Sequence, residues 1–304
     1  MARPLEAELA HDWGGTAAAG GRGRRILHAI GAFCRQKPLG AVGAAIVLAL
    51  LVMAAFAEAI APYAYDQQIP GARLRPPGGV NLLGTDNVSR DVFSRIVYGA
   101  RVSVTVGFLT VLLGTSLASV VGITSGYFRG GYDVVVQRIV DAWQSFPYLV
   151  IILSLLAVLG PGMLNVILSL SILVAATASR VIRSATLGVV EHPYVEAARA
   201  IGCGHLRIIA YHVLPNVLAT IVVVATIGLG GVILAEAALS FLGYGVPPPH
   251  PSWGSMLSGS GRTYMYTAPW IAIWPGVAIS LVVFGFNMLG DALRDVLDPR
   301  LRGR

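Results

Sequence analysis

The 304-residue chain is 55% hydrophobic and only 12% charged, with a net charge of +7; soluble domains carry roughly 25% charged residues. That composition excludes an ordinary soluble enzyme and points to a membrane protein. The basic residues flank apolar runs instead of forming one patch, so they read as orientation signals and no nucleic-acid partner is expected.

The only lysine, Lys37, is followed by Pro38, so no phosphate loop of the form G-x-x-x-x-G-K-S/T exists. If ATP drives this protein, another subunit binds it. Cys34 and Cys203 have no partner at metal-ligand spacing and read as ordinary thiols.

Residues 1–38 are rich in Gly, Ala and Arg and read as a cytoplasmic tail, mostly disordered, ending in a short surface helix. Leu39 to Ile60 is an apolar run of 22 residues, enough to cross a core of roughly 30 Å at about 1.5 Å per residue. A cleaved signal peptide is the competing reading, disfavoured by the long polar lead. Pro62 to Ala100 opens with Pro- and Gly-rich chain. It then offers a helix capped by Thr85 or Asp86, with Val88, Val92 and Ile96 on one face and Arg90, Asp91 and Arg95 largely elsewhere. Such a helix would lie along the membrane surface.

A second span covers 102–122, where Gly107, Gly114, Ser116 and Ala118 permit close helix contact. The third, 139–159, carries Asp141, Gln144, Ser145 and Pro147 in its first half. Polar groups are costly in lipid, so these four are candidates for a translocation path, the alternative being an interfacial Asp141 paired with Arg138. Gly160-Pro161-Gly162 turns the chain into a fourth span, 163–178, which Arg180 and Arg183 are expected to stop.

Glu191 to Asn216 is the longest polar-tolerant interval of the second half. Pro193 suits a first helical position and Glu196 the first turn; Tyr194, Ala197, Ala198 and Ile201 share a face, with Glu196 and Arg199 off it. Gly202 stops this helix, and a second runs from about His205 to Leu214, where Pro215 breaks or kinks it. Helix, glycine hinge, helix is the expected form. Its capacities are to transmit a partner's displacement into the bundle or merely to cap it.

A fifth span, 217–242, holds Glu236, a path candidate whose alternative is a structural hydrogen bond. Pro247 to Leu257 has too many prolines for regular structure, and a sixth span covers 270–289. Alternating the loops puts 16 of the 22 Arg and Lys residues with the N-terminus, the Glu191–Asn216 interval and the C-terminus. By the positive-inside tendency these are cytoplasmic. The fold class is therefore all-α, a polytopic bundle with six transmembrane helices. No catalytic signature and no metal-binding His/Cys cluster is present, and the six histidines are scattered.

Glu196, Ala197, Ala198, Gly202, Leu214 and Pro215 have the spacing of the EAA loop of ABC-transporter permease subunits, which the chain resembles. His212 stands where the general pattern has isoleucine, and the words His212 to Asn216 (HVLPN) are similar to the dipeptide and oligopeptide branch. Leu83 to Arg95 (LGTDNVSRDVFSR) also looks like that branch, with Ser89 where it usually has glycine. So do LSFLGYG with Pro247 to Leu257, and Gly290 to Arg300. The likeness runs from about residue 36 to the end.

It implies a transmembrane domain over 39–304, a type I ABC importer permease bundle in the bacterial plasma membrane. Pro193, Tyr194, Glu196, Ala197, Ala198, Arg199, Gly202, Leu214 and Pro215 would couple it to partner ATPases. The implied partners are a second, different permease, two ABC ATPase subunits that bind ATP and Mg, an extracytoplasmic binding protein and membrane lipid. No cofactor or metal is implied in this chain itself. Peptides are the implied cargo, with nickel chelates or another small solute as the alternative. The other classes are an ion-gradient transporter using Asp141, Glu236 or Asp291, and a structural membrane scaffold.

Overall fold

A computed structural model describes residue 31 and residues 33–297. The expected tail therefore lies mostly outside the described residues, as do the last residues of Gly290 to Arg300. The chain divides into two units, Met1–Pro38 and Leu39–Arg304. From Pro38 onward the described residues form helices and connections only, in the order α1 (Pro38–Ala55), α2 (Ala57–Ile60), α3 (Val92–Phe128), α4 (Gly130–Gln144), α5 (Tyr148–Leu159), α6 (Met163–Val190), α7 (Pro193–Ala200), α8 (His205–Ile208), a π segment (Ile209–Val213), α9 (Leu214–Phe241), α10 (Trp253–Thr263) and α11 (Trp270–Leu297).

Among the described residues, five helical stretches are long and apolar enough to cross a membrane, and the bent α4–α5 pair makes six if it counts as one span. The all-helical multi-span fold is as the sequence predicts. Several boundaries differ, each for a physical reason. No surface helix begins at Thr85 or Asp86: Asp91 is the cap, its Oδ2 accepting from the Ser94 N–H at 2.8 Å. With no proline in 92–128, α3 then runs unbroken through the predicted second span.

The expected span 139–159 is broken, α4 and α5 meeting at an angle of 85°. Pro147 is the cause, because its ring fixes φ and pushes Phe146 out of the helical region. The fourth span does not stop at Arg180 and Arg183, since both find carboxylates on α4 and helix α6 continues to Val190. Pro215 does not end its helix either. The π segment absorbs the missing donor, with Leu214 N–H reaching the Ile209 carbonyl, and α9 continues to Phe241. The sixth span runs beyond Leu289 to Leu297.

Pro247 to Leu257 is not all irregular: its prolines end at Pro251, and Ser252 opens α10 with a reciprocal capping box to Ser255. Helices α3 and α6 pack along most of their length. A Cβ on Gly114 would come within 2.6 Å of Val174 Cβ, and one on Gly122 within 2.6 Å of the Ser179 carbonyl. Only a residue without a side chain permits that approach. Ala118 is buried in the same seam, whereas Ser116 points outward and bonds its own helix at the Leu112 carbonyl.

Arg90, Asp91 and Arg95, expected off the apolar face, form part of a buried polar network at the start of α3. Asp86 Oδ1 accepts from the Val88 and Arg90 backbone N–H groups, and Oδ2 from Arg90 Nε and Arg95 Nη1, at 2.8–2.9 Å. Asp91 Oδ1 accepts from Asn81 Nδ2 at 2.9 Å. Two indoles tie this end together, Trp270 Nε1 donating to the Thr85 carbonyl at 3.1 Å and Trp253 Nε1 to that of Ile96 at 3.0 Å. Val88, expected to share the apolar face of Val92 and Ile96, is exposed while those two are buried.

Candidate functional site

At the opposite end of α3, the segment from Glu191 to Val213 folds as helix, hinge, helix. Pro193 occupies the first turn of α7 after an extended His192, Glu196 lies in the first turn and Arg199 in the last, each matching the helix dipole. Gly202 has φ +79°, a conformation L side chains rarely adopt. There its N–H reaches the Arg199 carbonyl while Cys203 N–H reaches that of Ala198, both at 3.0 Å. This double closure ends α7 and redirects the chain into α8.

Of the four residues predicted to share a face, only Ala198 turns into the bundle. Val195 and Ala198 are buried, packing with Ile182, Val190, Ile208 and Val213. Tyr194 and Ala197 are exposed, and Ile201 is 79% exposed. Leu206 (83%) and Tyr211 (74%) extend the same exposure beyond the hinge. The helix thus has two apolar sides, one seated on its own bundle and one bare. Leu214 is also part-exposed at 38%, Pro215 is exposed, and Asn216 Nδ2 donates to the His212 carbonyl at 2.6 Å.

His205 and His212 do not share a site. His212 lies tilted against Tyr194, which also stacks on His192. His205 instead meets Tyr127 at the end of α3, its Nδ1 2.9 Å from the hydroxyl, and Arg199 stands over the same ring at 5.1 Å. Sequence reasoning missed Tyr127 because nothing local marks it: it lies 78 residues from His205.

The path candidates scatter. A cavity of about 500 Å³ opens between the α4–α5 bend, α6 and α9, lined among others by Trp143, Gln144, Tyr148, Val174, Thr177 and Gly231. Gln144 Nε2 donates to the Ala176 carbonyl of α6 at 2.8 Å. Pro147 makes the bend, and Ser145 Oγ donates to the Asp141 carbonyl at 2.8 Å. Asp141 is outside the cavity lining, paired with Arg138 and with Arg180 of α6. Glu236 is also outside it: buried, it accepts from Ser240 Oγ at 2.6 Å at Oε1. One further pair, missed in the sequence, joins α4 to α6: Asp133 accepts from Arg183 through both carboxylate oxygens and from Ser125 Oγ.

Residues 118–303 match the family of binding-protein-dependent transport system inner membrane components, and residues 34–77 match the N-terminal transmembrane domain of oligopeptide transport permease C. The chain belongs to this permease family. It is 40% identical over 268 residues to a dipeptide transport system permease protein of Alkalihalophilus pseudofirmus, covering 88% of each. A glutathione transport system permease protein of Pectobacterium atrosepticum is 38% identical over 271 residues, covering 89% of each. Among solved structures, a chain of the MetNI methionine ABC transporter superposes with a TM-score of 0.54 at 22% identity, over 67% of this permease and 96% of that chain. That likeness is one of fold. As a family member the permease is a multi-pass inner-membrane component that works with ATPase and substrate-binding partners.

Proposed function

We propose that this permease imports peptides of the dipeptide and oligopeptide class, driven by ATP hydrolysis in partner subunits and coupled to them through Glu191–Asn216. The observation that carries the coupling reading is the bare apolar side of α7 and α8, with Tyr194, Ile201, Leu206 and Tyr211 turned away from their own bundle. An apolar surface on a rigid helix end is the form of a docking site, and a partner groove would cover it. Glu196 and Arg199 supply polar contacts at its rim, Pro193 and Gly202 set the ends of α7, and Leu214 with Pro215 joins the loop to α9. Two ATPase subunits binding ATP and Mg, a second, different permease and an extracytoplasmic binding protein complete the assembly, with both termini and the loop in the cytoplasm.

The cavity between α4–α5, α6 and α9 is this subunit's half of the path, Gln144 and Thr177 being its polar lining. Peptide cargo is supported by the relatives named for dipeptide and glutathione transport. An ion-gradient mechanism gains nothing from the carboxylates, since Asp141 is salt-bridged and neither it nor Glu236 lines the cavity. Glu236→Gln is accordingly expected to retain ATP-driven uptake.

Purification of the tagged chain from its membrane, with identification of co-purifying proteins, tests the assembly. Recovery of a second permease and P-loop ATPases supports the reading, and recovery of the chain alone sinks it. A cysteine at Tyr266, 92% exposed, should label only from outside the cell, and one at Leu206 only from the cytoplasmic side.

A further inference from the structure

We propose that Tyr127 is a positioning residue through which displacement of the α7–α8 loop reaches the wall of the cavity by way of α3. This rests on the coupling reading above and adds a route to the two direct covalent ones, through α9 and through Glu191–His192 into α6. Tyr127 occupies the last turn of α3 and is buried. Its hydroxyl meets His205 Nδ1 at 2.9 Å, and Arg199 Cζ lies 5.1 Å from its ring centroid. Arg199 precedes the Gly202 hinge and His205 follows it. One ring is therefore gripped by both limbs of the loop, and the Phe128 ring seals the His205 side edge-on at 5.6 Å.

A hydrogen bond and a cation–π contact each contribute on the order of 1 kcal/mol. Their value here is geometric, because they act on a rigid element. Close to Tyr127, a Cβ on Gly126 would come within 2.8 Å of Thr186 Cβ on α6. Helices this close cannot slide independently without overlap. A push on Tyr127 is then a push on the α3–α6 pair, and α6 presents Val174 and Thr177 to the cavity. Without the Tyr127 grip the loop still acts on α6 through Glu191–His192 and through Val195 and Ala198 against Ile182 and Val190, but the share carried by α3 is lost.

The test reads the two ends of that route separately, in the purified complex with its ATPases, in a background of Cys34→Ser and Cys203→Ser. Maleimide labelling rates are measured with and without a non-hydrolysable ATP analogue at Leu206→Cys on the loop and at Thr177→Cys in the cavity. With Tyr127 intact, nucleotide should change the rate at both. Tyr127→Ala should leave the Leu206→Cys response in place and reduce that at Thr177→Cys by more than Tyr127→Phe does. Tyr127→Phe, which keeps the ring and loses one hydrogen bond, should reduce the Thr177→Cys response about two- to five-fold. His205→Ala added to Tyr127→Ala should lower the Thr177→Cys response no further, since both act through one contact.

An unchanged Thr177→Cys response in Tyr127→Ala overturns the proposal, as does a response absent from the parent complex while Leu206→Cys still responds. If Tyr127→Ala fails to assemble, an undiminished Thr177→Cys response in Tyr127→Phe overturns it equally. Loss of nucleotide dependence at Leu206→Cys in the parent complex strikes instead at the coupling reading, and the proposal falls with it.

Discussion

The two ends of α3 handle unfavourable surface in opposite ways. The 61–91 segment buries polar groups and satisfies them internally, Asp86 alone accepting four hydrogen bonds. The α7–α8 loop leaves large apolar side chains in the open, with Ile201 and Leu206 about four-fifths exposed. The first end is complete within one chain, and the second is complete only against a partner. Stability of the subunit should therefore depend on the first, and assembly on the second.

The sharpest way to break that contrast is Asp86→Ala, which strands Arg90 and Arg95. Removing one partner of a buried charge pair costs about 3–5 kcal/mol. The variant should melt at lower temperature in detergent and be nicked by protease within 61–91; an unshifted melt would show the network to be dispensable. Gly202→Pro comes next. Proline can adopt neither φ +79° nor the donor role of the Gly202 N–H, a loss of roughly 3 kcal/mol at the hinge. The chain should still insert, while uptake per ATP hydrolysed falls; normal coupling would remove the hinge from the mechanism.

Leu206→Ser should weaken retention of the ATPases by about 1.5–3 kcal/mol, the value of burying a leucine side chain. Melting of the isolated permease should not move, because this side chain touches little of its own subunit. Equal effects on melt and assembly would erase the distinction between the two ends. The smallest effect is expected from Trp270→Phe, which forfeits the bond to the Thr85 carbonyl at about 1 kcal/mol, visible in the melt and not in ATPase retention.

Much of the loop was legible beforehand because its boundaries are local. Pro193 and Gly202 act on their own backbone angles, and both stand where their chemistry predicts. Its burial was not legible. Apolar periodicity put Tyr194, Ala197, Ala198 and Ile201 on one face without saying which way it turns; the bundle takes Val195 and Ala198 and leaves the other three bare. A helix that faces a partner as well as its own core has two apolar sides, and composition cannot rank them. Similarly, Asp86 and Asp91 are equally good caps by residue type. The choice fell to Asp91 because Asp86 is engaged by Arg90 and Arg95.

The amino-acid sequence by itself determined the class of protein: apolar runs of membrane length, breaks where proline and glycine constrain the backbone, and no nucleotide-binding loop. Those properties depend on a few neighbouring residues each. The Asp141–Arg138 pair, three residues apart, was within reach of the sequence; tertiary structure alone decided that Asp141 also meets Arg180, that Asp133 meets Arg183, and that Tyr127 sits between Arg199 and His205. Such partners are tens of residues apart, and only the crossing of α3 with α6 and the turn of the loop beneath them brings their side chains into reach.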